Sequence, residues 1–303
     1  MDTKAYWVNR KEIDKKKWDD LVLKTEGASI YVLSFYLDAV AEDWEAYIAE
    51  DFSFAVPVAV VRKGGLKRVY PALFQRYIDV IGDVSKLDLH QFEHEILKRY
   101  KKGSLNSKTP LMASLSGDEF IYQAVEKEDF KLKTQAKRML QRFSKAAYTI
   151  REENVNTEEL SQFIAIELSK KLPIYATKSV LFLFDLIKKA EENGQLYKIG
   201  LFHKEELKGG LIGLKFNNRL LYLKGTSTEE SQKEGAMYAL MNHFIHHGFA
   251  HNCAIDFGGS RVEGIRFFFT RFNGKDQIYY HYAWDNSPWY YKLLFAIRDW
   301  IKK

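Results

Sequence analysis

The sequence predicts an α/β (α+β) protein of two tandem modules, each a mixed, mostly antiparallel sheet flanked by helices. Three observations carry that expectation. Two stretches half a chain apart share one layout of apolar strand candidates. Helical periodicity precedes and follows each of them. A corner near the C-terminus, Ala254 to Gly274, reads as strand, glycine turn and helix in succession.

In the first stretch, Ala46 to Ala49, Phe54 to Val61 and Leu66 to Tyr70 are strand candidates separated by Glu50-Asp51 and Gly64-Gly65. In the second, Leu196 to Phe202, Leu211 to Phe216 and Leu220 to Leu223 are separated by Lys204-Glu205-Glu206 and Asn217-Asn218. Both read as antiparallel meanders with tight second turns. Helical patterns run over Lys11 to Leu23 and Phe35 to Ala41 before the first, and over Thr157 to Lys170 and Ser179 to Glu192 before the second. After each meander a helix and another strand are expected. In the first half these are Lys86 to Lys101, then Leu111 to Leu115 and Phe120 to Val125. In the second they are Thr228 to His247, then Cys253 to Phe257. Ser227 and Glu230 form a capping box that starts the second of these helices. Gln277 to Trp284 and Trp289 to Ile301 read as a closing strand and a terminal helix.

Between the halves, Lys131 to Arg151 carries Lys131, Lys133, Lys137, Arg138, Arg142, Lys145 and Arg151 opposite an apolar stripe at helical spacing. Its basic face is either solvated or one wall of a groove for an anion. The expected organisation is a module over 1–130, a basic connecting helix over 131–152 and a second module over 153–303.

With 303 residues, 46% of them hydrophobic, the chain can bury a full core, which excludes disordered and fibrous classes. A net charge of +6 favours small or nucleotide-bearing anionic partners and falls short of a DNA-binding composition. The single cysteine, Cys253, allows no internal disulfide. Met1 to Lys4 lead into no apolar signal segment and no long apolar run occurs, so a cytoplasmic protein without membrane insertion is expected.

At the C-terminal corner, Gly258-Gly259 permit positive φ and close backbone approach, while Ser260 and Glu263 form a second capping box, placing the helix start at about Ser260. The exposed first-turn amides and positive dipole end of such a helix suit phosphate or carboxylate. A strand-to-helix joint with no ligand remains the alternative.

These residues resemble the FemAB-like branch of the GNAT acyltransferase fold, in which two such modules are joined in tandem. The clearest match is D-F-G-G-S-x-x-x-G-I at Asp256 to Ile265, followed by an aromatic helix and Phe272. The basic connector with Lys137-Arg138 and Lys145-Ala146 is similar to the segment between modules. S-F-Y-L-D-A-V at Ser34 to Val40 and Y-P-A-L-F-Q-R-Y-I-D-V-I-G at Tyr70 to Gly82 resemble a tandem-GNAT subgroup common in Bacteroidetes.

The resemblance implies transfer of an acyl group from acyl-CoA to an amine of a small molecule or precursor. Aminoacyl-tRNA-dependent members place a lysine where this chain has Phe268-Phe269, and some carry a helical arm that has no counterpart here, so tRNA is the disfavoured donor. A binding protein that has lost the chemistry is a further alternative. The acyl-CoA loop pattern, Q/R-x-x-G-x-G/A, is met by Gln232 and Gly235 but broken at Met237. Gly225, Thr226 and Ser227 just before the helix would supply amide donors, and Lys224 a cation for phosphate.

Acyl transfer needs a base for the ammonium proton, a donor for the oxyanion and an acid for the leaving thiolate. Asp256 is a candidate base, or a cap of the glycine turn. Tyr222 is a candidate acid, expected on the same strand face as Lys224, and the alternative for both is a solvent-facing strand residue. Gln75, Arg76 and Tyr77 interrupt an apolar run after Pro71 and are candidate substrate contacts together with Gly258, Gly259 and Ser260. Their alternative is a loop-anchoring hydrogen bond. His243, His247 and His251 near Cys253 lack an H-E-x-x-H pattern, so no metal is expected. The absence of G-x-S-x-G argues against a hydrolase.

Overall fold

The computed structural model describes residues 4–63, 65–171, 177–259, 263–289 and 291. The first half contains β1 (Ala5–Asn9), α1 (Lys15–Lys24), α2 (Ser34–Val40), β2 (Asp43–Ala49), β3 (Phe54–Lys63), β4 (Leu66–Val69), β5 (Ile81–Gly82), α3 (Leu89–Arg99), β6 (Lys102–Ser107) and β7 (Asp118–Val125). The chain continues through α4 (Thr134–Phe143), β8 (Thr149–Arg151), α5 (Thr157–Lys171), α6 (Thr177–Glu192), β9 (Leu196–His203), β10 (Glu206–Phe216), β11 (Arg219–Ser227), α7 (Glu229–Lys233), α8 (Ala236–Ala250), β12 (Ala254–Asp256), α9 (Glu263–Thr270) and β13 (Lys275–Asp285). Two compact units result: Met1–Phe120 with Tyr279–Lys303, and Ile121–Ile278.

In the first unit β1 pairs with β2, and β2, β3 and β4 form the expected meander, all antiparallel. β6 then runs parallel to β4 through Val69 and Gly103. The C-terminal strand β13 lies antiparallel to β6, from Tyr280 opposite Ser107 to Asp285 opposite Lys102. The sequence layout counts this strand with the second half, whereas its pairing gives it to the first unit. Aromatic rings fill the core, with Tyr47, Phe54, Phe92 and Tyr100 all buried. Trp284 lies against Gly103, where any Cβ would meet its indole, and its Nε1 donates to the Tyr100 carbonyl at 2.7 Å.

Glu45 is buried among this unit's polar residues, bonded by Arg99 at 2.8 Å, by Lys67 and by the Tyr100 hydroxyl. Burial alone would raise its pKa. The Arg99 guanidinium, the Lys67 ammonium and the Tyr100 hydroxyl outweigh that and hold it at about 2.

The second unit repeats the plan. β8 pairs with β9, and β9, β10 and β11 form an antiparallel meander. β12 runs parallel to β11, and β7 lies antiparallel to β12. α8 covers this sheet with Leu240, Met241, Phe244 and Ile245, all fully buried beside Ile199, Leu201, Leu211 and Ile255. The mixed α/β class with mostly antiparallel sheets and flanking helices is thus the observed one.

Several local expectations are corrected. Leu111 to Leu115 is not a strand, because the buried Glu93 carboxylate takes the amides of Ala113, Ser114 and Leu115 at 2.8, 2.6 and 2.9 Å and the Tyr282 hydroxyl takes that of Leu111 at 3.2 Å, which keeps four of the five amides out of a ladder. The single helix expected from Thr228 to His247 is two helices, α7 and α8. They are broken at Gly235, whose φ of 93° is left-handed. A Cβ there would stand 2.5 Å from the Met139 carbonyl oxygen of α4, so only glycine fits. The Ser227 capping box does not form. Ser227 stays in β11 opposite Gly209, and Thr228 caps α7 by accepting from Ser231 N at 3.3 Å.

β1, β5, β6 and β8 were not expected from the sequence, and the connecting helix expected over 131–152 is the shorter α4, followed by β8, which pairs with β9. Of the terminal helix expected at Trp289 to Ile301, only residues 289 and 291 lie inside the described residues. Among the described residues no helix is long and apolar enough to cross a membrane.

Candidate functional site

β11 and β12 are hydrogen-bonded side by side only over Arg219–Ala254, Leu220–Ile255 and Leu221–Asp256. β11 then runs on to Ser227, while the other chain turns away at Gly258, whose φ is 78°. Where the strands part, β11 carries a bulge. Ile212 pairs with Lys224 and Gly213 with Tyr222, so Leu223 has no partner on β10. A bulge bends its strand and releases main-chain groups from the ladder.

The bulge corrects one expectation directly. Neighbours on β10 point to opposite faces, so Tyr222, opposite Gly213, and Lys224, opposite Ile212, do not share a face. Tyr222 faces the aromatic core, its ring 5.7 Å from Phe269 and 6.3 Å from Phe244, and its hydroxyl donates to the Gly225 carbonyl at 3.3 Å. Asp256 pairs with Leu221, next to Tyr222 along β11, and therefore lies on the opposite face from Tyr222. It is 3% exposed, and its Oδ1 accepts from Gly258 N at 2.8 Å, the turn-capping bond that aspartate makes two residues on. Gly259 follows, exposed. Ser260 lies outside the described residues.

The remaining predicted contacts of this unit are spread along the chain. Gly225, Thr226 and Ser227 are not a loop but the last rungs of β11, opposite Leu211, Gly210 and Gly209. Thr226 and Ser227 are buried. Gln232 is exposed on α7, and Gly235 is covered by α4. Thr228 already serves the amide end of α7, and Glu229 and Glu230 occupy its first turn. Carboxylates there complement the helix dipole and compete with a phosphate for the same end.

In the first unit, Gln75, Arg76 and Tyr77 belong to a stretch that fills the space beyond the end of β4. Ile78 N donates to the Asn106 carbonyl at 2.9 Å and Lys108 N to the Ile78 carbonyl at 3.0 Å, so the stretch pairs parallel with the end of β6. Gln75 Nε2 donates to the Tyr31 carbonyl at 2.9 Å, the loop-anchoring bond among the sequence alternatives. The Arg76 guanidinium lies 5.6 Å from the Tyr31 ring and 5.7 Å from the Tyr77 ring, within cation–π range. Tyr77 packs edge-on against Tyr31 at 5.2 Å. A small crevice remains between Val69, Tyr70, Gln75, Tyr77, Leu105 and Asn106.

One cluster that sequence reasoning touched only through its histidines is centred on Glu152. His243 Nε2 lies 2.6 Å and His247 Nδ1 3.1 Å from its carboxylate, and the Tyr197 hydroxyl donates to it at 3.0 Å. Burial would raise the Glu152 pKa, but the bonds from His243 and Tyr197 and the charges of both histidines lower it overall. Burial depresses that of His247 against the pull of Glu152. The i, i+4 histidines on α8 were the legible signal; their partner, far away in sequence, was not. Among the described residues no group of His, Cys, Asp and Glu side chains could hold a metal. Cys253 is buried, and burial raises its thiol pKa.

No family model and no curated protein matches this sequence. Solved structures do match. FemX is 10% identical with a TM-score of 0.66, covering 92% of this chain and 98% of its own. L-PGS from Bacillus licheniformis is 14% identical at 0.60, covering 94% and 96%. A tandem GNAT protein from the clavulanic acid biosynthesis pathway is 10% identical at 0.51, covering 94% and 99%. At such identities the likeness shows the fold alone: a GNAT-like fold of the FemX type.

Proposed function

We propose that this chain is an acyltransferase that moves an acyl group from acyl-CoA to an amine of a small or nucleotide-bearing molecule. The single observation that supports this most is the parting of the parallel strands β11 and β12 beside a bulge, with a tyrosine and an aspartate at the fork. The resemblance implies that the donor enters between these strands. The amine nitrogen attacks the thioester carbonyl, the tetrahedral intermediate collapses, and the carbon–sulfur bond breaks. Asp256 takes the proton lost by the attacking ammonium, and Tyr222 gives one to the departing thiolate. Main-chain groups released at the Leu223 bulge are the candidate oxyanion donors. Because Asp256 and Tyr222 lie on opposite faces of the sheet, acceptor and donor approach from opposite sides.

The test is thermal unfolding with acetyl-CoA and longer acyl-CoAs, followed by thiol release in the presence of amines. A donor at a hundred times its Kd stabilises the native state by about 2.7 kcal/mol. Acyl-CoAs that leave the melting temperature unchanged at millimolar concentration sink the proposal. A second reading, a donor carried by tRNA, is the other one that the FemAB-like resemblance offers. Stabilisation by charged tRNA and not by acyl-CoA would select it.

A further inference from the structure

The fork between β11 and β12 is bridged by an aromatic ring. Tyr222 is the first residue of β11 beyond the paired region, and Phe257 the first residue after β12. Partners share a face and alternate residues return to it, so both rings stand on the face of Leu220 and Ile255. Phe269, from α9, reaches both: its ring centroid lies 5.7 Å from that of Tyr222, edge-on, and 5.0 Å from that of Phe257, stacked at 15°. The ring is 3% exposed.

Its backbone is tied down as well. The Phe269 carbonyl accepts from Phe272 N at 3.0 Å and from Gly274 N at 3.3 Å, where α9 ends and the chain turns toward β13. A Cβ on Gly274 would come within 3.2 Å of both the Phe257 ring and the Phe269 carbonyl oxygen, so the chain closes tightly behind the ring. Packing on the far side and hydrogen bonds at its root leave the Phe269 ring little room to swing away.

We propose that Phe269 sets the length of acyl group the chain accepts, its ring acting as a fixed apolar stop across the opening between β11 and β12. The proposal rests on the acyl-CoA reading above. A stop made of aromatic carbon excludes long chains by volume and offers no charge to an anionic acyl group. Short, uncharged acyl groups are therefore the class that fits.

The experiment measures the affinities of CoA, acetyl-CoA, butanoyl-CoA and octanoyl-CoA by calorimetry on the full chain and on the variants Phe269→Leu, Phe269→Ala and Phe268→Leu. Melting curves without ligand identify the variants that fold. Phe269→Leu keeps an apolar side chain in the core, so the question can be answered if Phe269→Ala unfolds. Phe268 packs on Tyr238 and Phe272 and stands 5.7 Å from the Phe269 ring, so Phe268→Leu disturbs the packing around the stop while leaving the stop itself in place, which makes it the control. The expected result is that octanoyl-CoA binds the natural chain more weakly than acetyl-CoA, and that shortening Phe269 improves the octanoyl-to-acetyl ratio by roughly tenfold or more. Phe268→Leu leaves the ratio alone. If acyl-CoAs bind all the proteins with one unchanged chain-length profile, the stop is wrong and the donor reading stands. If no protein binds CoA or any acyl-CoA, both are wrong.

Discussion

In the first unit β4 and β6 run parallel at Val69 and Gly103 and then separate, and in the second β11 and β12 run parallel for three residues and then separate. The first unit fills the opening with main chain, as the stretch from Pro71 to Val80 adds a hydrogen-bonded rung at Ile78 and pins itself through Gln75 to Tyr31. The second fills it with one ring, Phe269, against Tyr222 and Phe257. A backbone rung leaves only by local unfolding, whereas a side chain can be shortened by one substitution. The same opening is closed by main chain in one unit and by a single side chain in the other.

Breaking the main-chain plug should cost the most. Tyr77→Ala removes a ring that is 2% exposed and should destabilise the chain by about 3–5 kcal/mol in urea unfolding, with acyl-CoA binding retained wherever the variant folds. A loss below about 1 kcal/mol would mean that the plug is not built on this ring.

Glu45→Gln tests the buried network of the same unit. The Glu45 carboxyl drops from an ordinary 4.5 to about 2 on folding. Its contribution of about 3 kcal/mol is therefore complete above pH 4.5 and disappears as the pH falls toward 2. The variant should lose stability at pH 7 and show a flatter acid profile over that window. An unchanged slope between pH 4.5 and 2 would show that Glu45 is not held down as stated.

Gln75→Leu should cost less, about 1–3 kcal/mol, by removing the buried bond from its side-chain amide to the Tyr31 carbonyl. The smallest stability effect belongs to the second unit. Tyr222→Phe removes the 3.3 Å bond to the Gly225 carbonyl and should cost under about 1 kcal/mol, yet lower turnover roughly a hundredfold. Unchanged turnover would take the acid role from Tyr222.

Much of the plan was legible because apolar runs and turn residues mark both meanders, and Asp256 to Gly258 do form the expected aspartate-capped turn. β6 was not legible: Lys102 to Ser107 has a single large apolar residue, Leu105, and is a strand only because β4 and β13 flank it. Leu111 to Leu115 misled for the opposite reason, since Leu111 and Met112 are buried while the amides of Ala113, Ser114 and Leu115 go to a glutamate on α3. At the candidate site, strand periodicity put Tyr222 and Lys224 on one face, and a one-residue bulge separated them. Bulges depend on pairing with a neighbour strand, which local sequence does not encode.

The α/β class, the repeated meander and the glycine corner are all local readings, because periodicity, turn chemistry and capping act between residues close in the chain. The place of β13 beside β6, the meeting of Glu152 with His243 and His247, and the span of Phe269 across the fork between β11 and β12 emerge with folding. Each of these joins residues far apart in sequence. Such contacts form through ladder register and side-chain packing, whose partners no local pattern names.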